Sequence, residues 1–396
     1  MQRIGIYGGT FNPVHIGHIR AAKYAIEALK LDKLLLIPNR TTPCKQGSDS
    51  VDPQQRLTML RIAVSSCEKM EVSDVELTRE GISYTFLTLQ QLRCEYPDAE
   101  LVLLLGSDMF CGIHNWKNAD ELLRNAHLGV FCRGGRKEAA AIQEQKERLE
   151  AMGASVQLLQ NPVTDISSTQ LRRLLIFRCA SPFLPEGVEA YIREHGLYDT
   201  DKDYRNLPME QLEAVVVGLL NPNRVAHVLG CRDTAAELAK YWGADVTDAA
   251  RAGLLHDITK AIDGPLQLTL CDAYGTILSD FGYKYPKTLH ALTGSLVAQR
   301  IFGENEAVVS AICSHTTGKA DMNLLEKIIY VADYMEPNRD FPGVEKLREL
   351  AFQNIDAALR LGLEMTLEHL KRQGNEVSPE SREALAWLNS RLAAVE

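Results

Sequence analysis

The first half of the chain takes its architecture from one short segment, Gly8-Gly9-Thr10-Phe11-Asn12-Pro13-Val14-His15-Ile16-Gly17-His18. An apolar run over 4–7 predicts a strand before it, and a helical pattern over 15–29 follows. At such a strand end, glycines let backbone N–H groups approach a phosphate, and the helix N-terminus favours negative charge. His15 and His18 share one helix face, and Gly17 leaves room for a nucleotide. The segment therefore predicts a phosphate-binding site, and the absence of a following G-K-[ST] argues against a Walker-type ATPase.

Short apolar runs alternate with helical patterns on both sides of this segment. Further strands are predicted at 34–37, 101–105, 128–131 and 156–159, and a further helix at 52–66. Continuous apolar runs bounded by turn residues are typical of buried parallel strands. We therefore predict an α/β domain with a parallel sheet covered by helices on both faces.

A second polar element, Asp165-Ile166-Ser167-Ser168-Thr169-Gln170-Leu171-Arg172, follows the last predicted strand. Serine and threonine before an apolar run usually only cap a helix. Together with His15 and His18, however, the hydroxyls of Ser168 and Thr169 and the cation of Arg172 are predicted to bind phosphate oxygens.

The segment 1–198 resembles the bacterial nicotinate-mononucleotide adenylyltransferases of the H-x-G-H nucleotidyltransferase superfamily. The resemblance rests on 8–18, on 166–172, on Gly81-Ile82-Ser83-Tyr84-Thr85, and on Gly106-Ser107-Asp108 with Trp116. It implies a Rossmann-like fold that transfers AMP from ATP to nicotinate mononucleotide with Mg²⁺, giving deamido-NAD and pyrophosphate.

The resemblance also implies roles for individual residues. Those that would hold the ATP phosphates are Gly8, Gly9, Thr10, Phe11, His15, His18, Ser168, Thr169 and Arg172, with His15, His18 and Arg172 as the catalytic groups. Those around the nicotinate would be Tyr84, Thr85 and Trp116, with Asp108 nearby, and Lys45 would reach a phosphate. Two departures from the family pattern, Cys44 and Arg133-Gly134-Gly135, bear on affinity more than on reaction type. Other acceptors remain open: nicotinamide mononucleotide, a flavin nucleotide or a pantetheine phosphate.

The character of the chain changes after residue 198. The polar, aperiodic segment 199–207 is interpreted as a linker, and residues 208–396 as a second, all-helical domain. Helical patterns are predicted over 209–220, 224–241, 245–256, 289–302, 307–315, 324–335, 344–372 and 379–394. The window 344–372 fits one helix or two, and it can also form the face of a homodimer.

Histidines and aspartates recur in these helical windows at His227, His256-Asp257, His290, His315 and Asp333. Helical bundles build metal sites from such side chains on several helices. Asp257 and Asp333 have apolar neighbours in the sequence, and a carboxylate facing a core is costly unless it is paired or bound to a metal. The pattern therefore predicts a metal site, in which Asp257 bridges two ions.

This ordered set resembles the HD-domain phosphohydrolases, and more closely their bacterial symmetrical bis(nucleosyl)tetraphosphatases. The closest motifs are 255–257 with Lys260, 314–318, and 326–339. The resemblance implies hydrolysis of diadenosine tetraphosphate to two ADP at a dinuclear site, with iron or alternatively manganese. One ion would be held by His227, His256, Asp257 and Asp333, and the other by Asp257, His290 and His315. Asp257 and Lys260 would be catalytic, and Lys260, Thr317 and Arg339 would contact phosphates. The alternative is a nucleotide sensor or a hydrolase of other nucleotides.

Composition limits the remaining classes of function. The net charge of -9 argues against a nucleic-acid partner. Nine scattered cysteines without a C-x-x-C pair fit a reducing cytoplasm rather than a disulfide framework. The longest apolar runs are too short to span a bilayer, so no membrane partner is expected.

Overall fold

A computed structural model of the chain describes residues 1–40, 51–132, 136–161, 164 and 166–393. The chain divides into two compact units, Met1–Lys202 and Asp203–Glu396. This division falls inside the segment 199–207, whose role as a linker stays a prediction. None of the helices in the described ranges combines the length and apolar character that crossing a bilayer requires.

The first unit is built on a six-stranded parallel sheet. Its strands are β1 Arg3–Gly9, β2 Lys33–Pro38, β3 Met70–Val72, β4 Glu100–Gly106, β5 His127–Phe131 and β6 Val156–Leu159. The order β3-β2-β1-β4-β5-β6 changes direction between β1 and β4, so the carboxyl end of β1 lies at the switch point where open sheets bind ligands. The sequence predicted five of these strands. It missed β3, whose three residues are too few to show a periodicity.

Helices cover this sheet and enclose an apolar core. They are Ile16–Ala28, Pro53–Val64, Thr85–Glu95, Ser107–Cys111, Ala119–Asn125, Arg136–Ala151, Ser168–Ile176 and Val188–Glu194, with short 3₁₀ turns at Ile113–Asn115, Ser181–Phe183 and Leu197–Asp199. Strand side chains such as Ile4, Leu103 and Val130 are at most 2% exposed. The predicted α/β class is therefore confirmed.

The second unit is helical, and no strand occurs among its described residues 203–393. Its α-helices are Met209–Leu219, Val225–Trp242, Val246–Leu255, Gly264–Ala273, Asp280–Lys284, His290–Val297, Glu306–Ser314, Leu324–Met335, Val344–Ala351, Ile355–Arg372 and Pro379–Ala393. Shorter turns are the 3₁₀ segments Pro222–Arg224 and Pro286–Leu289 and the π-helical segment Ala298–Phe302.

The sequence prediction missed two helices of this unit and left one window open between one helix and two. The helices Gly264–Ala273 and Asp280–Lys284 were not predicted. The window 344–372 is two helices, because the side chain of Asn354 accepts a hydrogen bond from the backbone N–H of Ala357 and so starts a new helix.

Candidate active sites

His15 and His18 form a side-by-side pair at the start of the first helix. The backbone N–H of His15 donates to Nδ1 of His18 over 3.2 Å, and the two ring centroids lie 3.6 Å apart. His15 is 6% exposed. A Cβ at Gly17 would lie 2.9 Å from Nδ1 of His15. The glycine therefore makes room for the His15 ring, whereas the sequence suggested that it makes room for a nucleotide.

The loop before this helix contains a buried aromatic ring. Phe11 has a φ of 48°, is 2% exposed, and packs against His18 with ring centroids 5.0 Å apart. A Cβ at Gly9 would lie 3.0 Å from the Phe11 ring, whereas no atom of a described residue lies within 4 Å of a Cβ at Gly8. Because the Phe11 side chain is buried, any contact from Phe11 to a phosphate must come from its backbone.

The second predicted phosphate element lies against the same loop. Ser168 Oγ donates to the carbonyl of Pro13 over 3.0 Å, and Arg172 Nη1 donates to the carbonyl of Asn12 over 2.7 Å. Arg172 Nη2 also lies 3.3 Å from the hydroxyl of Thr169. The structure thus joins the Ser168–Arg172 element to the loop that carries the histidine pair.

Two residues that the sequence analysis missed hold this loop from other directions. Arg56 is 1% exposed and donates to the carbonyls of Thr10 over 2.6 Å and Asn39 over 2.7 Å. Tyr198 donates from its hydroxyl to Oδ1 of Asn12 over 2.8 Å. Arg56 and Tyr198 were missed because neither belongs to a sequence motif that also contains its hydrogen-bond partners.

The residues predicted around the nicotinate lie at the ends of helices. Tyr84 precedes the helix Thr85–Glu95, and Lys117, next to Trp116, places its Nζ 4.6 Å from the Tyr84 ring centroid. Asp108 is exposed in the first turn of the helix that follows β4. Lys45, Cys44, 133–135 and Asp165 lie outside the described residues.

The six predicted metal ligands converge in the second unit around the carboxylate of Asp257. Its Oδ2 lies 3.5 Å from Nε2 of His256 and 3.7 Å from Nε2 of His227. Its Oδ1 lies 3.5 Å from Nε2 of His290 and 3.8 Å from Nε2 of His315. The two oxygens therefore face two different pairs of imidazoles.

Asp333 lies against the imidazoles of His227 and His256, the pair that faces Oδ2 of Asp257. Its Oδ1 lies 3.2 Å from Nε2 of His227 and 3.8 Å from Nε2 of His256. Two sets of three residues have ligand atoms that all lie within 4.8 Å of one another: His227, His256 and Asp333, and His256, Asp257 and His315. His290 stands at the edge of the second set, facing Asp257 Oδ1.

The imidazoles are oriented so that Nε2 is the atom presented to this centre. In three of them, Nδ1 lies against a backbone carbonyl three residues earlier in the chain. His256 Nδ1 lies 2.7 Å from the carbonyl of Gly253, His290 Nδ1 lies 2.9 Å from that of Lys287, and His315 Nδ1 lies 2.7 Å from that of Ile312. A carbonyl only accepts, so Nδ1 carries the hydrogen and Nε2 the lone pair. In His227, Nδ1 instead lies 3.1 Å from Oε1 of Glu336.

Glu336 is a further site residue that the sequence analysis did not identify. It is fully buried, and its Oε2 accepts hydrogen bonds from the backbone and side-chain amides of Asn338 over 2.7 and 2.8 Å. A Cβ at Gly230 would collide with Oε2, so the glycine admits the carboxylate. Glu336 lies within the motif 326–339, but the residues beside it in the sequence do not distinguish it from a surface glutamate.

Burial and charge set the ionisation of this centre. Burial, together with the nearby charge of Lys260, lowers the pKa of His290 to about 3, so that imidazole is neutral. Burial opposes the ionisation of Asp257, but the surrounding imidazoles, led by that of His256, hold its pKa well below the usual range. The neutral imidazole of His290 and the ionised carboxylate of Asp257 are the forms that bind divalent cations. Burial opposes the protonation of His256, but Cys231 and Asp257 raise its pKa well above the usual range, so metal binding there would displace a proton. The number and kind of donors fit two divalent cations.

Cationic side chains and one hydroxyl lie against the ligands. Lys260 Nζ lies 2.9 Å from Nε2 of His290, Arg339 pairs with Oδ1 of Asp333 over 2.6 Å, and Arg224 contacts Oδ2 of Asp257. The hydroxyl of Thr316 lies 2.9 Å from Nε2 of His290 and 3.1 Å from Nε2 of His315. The hydroxyl of Thr317, the predicted phosphate contact, instead donates to the carbonyl of Gly318 over 3.1 Å.

Comparisons with known proteins find a different family in each half of the chain. The cytidylyltransferase-like family model matches residues 6–174, and the HD domain model matches residues 224–338. A protein of Desulfatibacillum aliphaticivorans named "Probable nicotinate-nucleotide adenylyltransferase" is 38% identical over 217 residues, covering 50% of this chain and all of that protein.

One further relative extends into the second half, and one solved structure is similar to part of the chain. A protein of Mycoplasma pneumoniae named "Probable nicotinate-nucleotide adenylyltransferase/Ap4A hydrolase" is 30% identical over 335 residues, covering 84% of this chain and 88% of that protein. A crystal structure from Clostridium acetobutylicum, described as a "predicted HD superfamily hydrolase involved in NAD metabolism", has 35% identity and a TM-score of 0.46, and it covers 47% of this chain and 98% of that one.

Both resemblances read from the sequence are confirmed: the chain belongs to the nicotinate-nucleotide adenylyltransferase family and carries an HD domain in its second half.

Proposed function

We propose that this chain catalyses two reactions. The first unit transfers AMP from ATP to nicotinate mononucleotide, giving deamido-NAD and pyrophosphate. The second unit hydrolyses diadenosine tetraphosphate to two ADP. The observation that carries the proposal is the 30% identity, over 84% of the chain, to a relative whose name gives both activities.

Adenylyl transfer needs positioning and charge stabilisation rather than a covalent intermediate. A phosphate oxygen of nicotinate mononucleotide attacks the α-phosphorus of ATP, and the bond to the pyrophosphate oxygen breaks. His15 and His18, whose rings lie 3.6 Å apart, would stabilise charge on the phosphoryl oxygens. Arg172, which donates a hydrogen bond to the Asn12 carbonyl, would stabilise the same charge from the Ser168–Arg172 element. Mg²⁺ would neutralise the triphosphate when bound.

The loop contacts support the remaining phosphate roles. No described residue has an atom within 4 Å of a Cβ at Gly8, which leaves room for a phosphate beside it. The backbones of Gly8, Gly9, Thr10 and Phe11 would contact the ATP phosphates. Ser168 and Thr169 would complete the phosphate site. Tyr84, Thr85, Trp116 and Asp108 would contact the nicotinate nucleotide, and Lys45 would reach a phosphate.

In the second unit, the chain's own residues would hold two divalent cations. His227, His256, Asp257 and Asp333 would bind one, and Asp257, His290 and His315 the other. Imidazole-rich, carboxylate-bridged sites suit iron or manganese better than magnesium. When bound, such a pair supplies an activated water and a clamp for phosphoryl oxygens. Lys260, Arg339 and Thr317 would contact the substrate phosphates.

Because each unit has its own reaction, the activity of one unit serves as the control for a variant in the other. We expect the purified chain to form deamido-NAD from ATP and nicotinate mononucleotide, and to use the amide mononucleotide less efficiently. We expect it to release only ADP from diadenosine tetraphosphate. Asp257→Ala should abolish ADP release and leave adenylyl transfer intact, whereas His18→Ala should do the reverse. Product chromatography measures both reactions.

Metal removal separates the proposal from its alternative. Dialysis against a chelator, followed by assay with Mg²⁺ alone, should restore adenylyl transfer, and hydrolysis should return only when Fe²⁺ or Mn²⁺ is added. A chain that binds two metal ions but hydrolyses no dinucleoside polyphosphate would identify the helical unit as a nucleotide sensor. Equal use of a flavin nucleotide or a pantetheine phosphate would contradict the nicotinate assignment.

A further inference from the structure

A buried polar network lies directly behind the metal-ligand cluster, outside every predicted site residue. It consists of Thr259, Gln267 and Thr293, which are each at most 1% exposed. Uncharged polar side chains this deep in a core are costly unless they are hydrogen-bonded. The three side chains form hydrogen bonds with one another, so they hold this part of the core in one arrangement.

The contacts of the network join two separate parts of the chain. The hydroxyl of Thr259 lies 2.9 Å from the carbonyl of His290 and 2.8 Å from the hydroxyl of Thr293. Gln267 donates from Nε2 to the carbonyl of Thr259 over 2.8 Å, and its Oε1 accepts from the hydroxyl of Thr293. One part carries His256, Asp257 and Lys260, and the other begins at His290.

Close backbone packing reinforces this junction. A Cβ at Gly294 would lie 3.3 Å from the carbonyl oxygen of His256 and 3.6 Å from the hydroxyl of Thr259. The helix His290–Val297 therefore packs directly on the turn that follows His256. Nε2 of His290 and Oδ1 of Asp257, which lie 3.5 Å apart, are carried by the two segments that the network joins.

We propose that Thr259, Gln267 and Thr293 are positioning residues that set His290 against Asp257, and thereby control occupancy of the second metal position. The inference rests on the proposed dinuclear site. The first position shares His256 and Asp257 with this segment, but its other two ligands, His227 and Asp333, lie on helices that make none of the network's hydrogen bonds. Loss of the network should therefore weaken the second ion more than the first.

A matched pair of variants tests this inference in the full chain. Thr293→Val keeps the shape of the side chain and removes its hydroxyl, whereas Thr293→Ser keeps the hydroxyl. The probe is Mn²⁺, with metal content and binding measured by elemental analysis and titration calorimetry. Electron paramagnetic resonance distinguishes a spin-coupled pair from an isolated ion.

We expect the parent and Thr293→Ser to bind two Mn²⁺ with a coupled spectrum. We expect Thr293→Val to bind the second ion about 10-fold to 100-fold more weakly, as for loss of other groups that orient metal ligands, and to show an isolated-ion spectrum at one equivalent. Gln267→Met, which keeps the length of the side chain, should behave like Thr293→Val and provides the same measurement if that variant does not fold. Adenylyl transfer serves as the control that the rest of the chain is intact.

The outcomes separate this inference from the proposed function. A coupled pair with unchanged affinity in Thr293→Val, or equal weakening of both ions, would overturn the positioning role alone. A parent chain that never binds two ions would overturn the dinuclear site and the inference with it.

Discussion

The guanidinium of Arg56 donates to the carbonyl oxygen of Thr10 over 2.6 Å, from a side chain that is 1% exposed. The same group donates to the carbonyls of Asn39 and Val51. Burial lowers its pKa below that of a free arginine. This cation connects the end of β1, the end of β2 and the segment before the second helix, so it fixes the loop from which the histidine pair begins.

Replacing Arg56 should therefore affect both stability and adenylyl transfer. In Arg56→Met, each buried carbonyl that loses its donor costs about 1–3 kcal/mol, so the first unit should unfold at a lower temperature. The loop should also lose its position, which lowers kcat/KM for deamido-NAD formation. Thermal unfolding and product chromatography measure the two effects.

Arg20→Met is the matched control, because Arg20 is exposed on the first helix. Equal unfolding temperatures and equal kcat/KM values for the two variants would contradict the role assigned to Arg56.

The sequence revealed the parts of the first site that are contiguous. The glycines and histidines of 8–18 lie within eleven residues, so their strand, turn and helix could be predicted from local patterns. Arg56 could not be found in this way, because its partners lie at positions 10, 39 and 51 and no periodicity connects them. The same holds for Tyr198 and Asn12, which are 186 residues apart.

The second site shows the same limit. The ligands could be predicted because polar residues on otherwise apolar helices are informative, and the resemblance supplied their order. The direction in which each side chain points after the end of a helix could not be predicted from the sequence. Thr316 and Thr317 are adjacent after the helix Glu306–Ser314, and only the structure shows that Thr316 turns its hydroxyl to the imidazoles.

This difference gives a direct comparison of two neighbouring residues. Thr316→Val removes the hydroxyl that lies 2.9 Å from Nε2 of His290, whereas Thr317→Val removes one that bonds the Gly318 carbonyl. A hydrogen bond between neutral groups contributes about 0.5–1.5 kcal/mol, which corresponds to a rate loss of about twofold to tenfold. We expect this loss in hydrolysis for Thr316→Val and a smaller one for Thr317→Val, as measured by ADP release. A larger loss in Thr317→Val than in Thr316→Val would contradict the role inferred here for Thr316.

His18 should be necessary for rapid adenylyl transfer. Loss of one preorganised donor to developing charge typically lowers turnover by about 10²–10³, and we expect this loss in His18→Ala, with diadenosine tetraphosphate hydrolysis unchanged. His195→Ala is the control, because His195 is an exposed histidine of the same unit, stacked on Tyr191. Steady-state kinetics with saturating ATP measures the change. Near-normal turnover in His18→Ala would remove His18 from the mechanism.

Glu336 should act on the metal centre through His227, without being a ligand itself. Its Oε1 lies 3.1 Å from Nδ1 of His227, and the opposite nitrogen of that ring, Nε2, lies 3.2 Å from Oδ1 of Asp333. A carboxylate in this position fixes the tautomer and the ring orientation, and its loss typically lowers metal affinity by about 10-fold to 100-fold. Glu336→Ala should therefore weaken the ion held by His227, His256 and Asp333. Glu336→Gln, which keeps an oxygen acceptor, should weaken it less.

Calorimetric titration with Mn²⁺ distinguishes the two variants, and adenylyl transfer should be the same in both. If Glu336→Ala binds this ion as tightly as the parent, the orientation of His227 does not depend on Glu336.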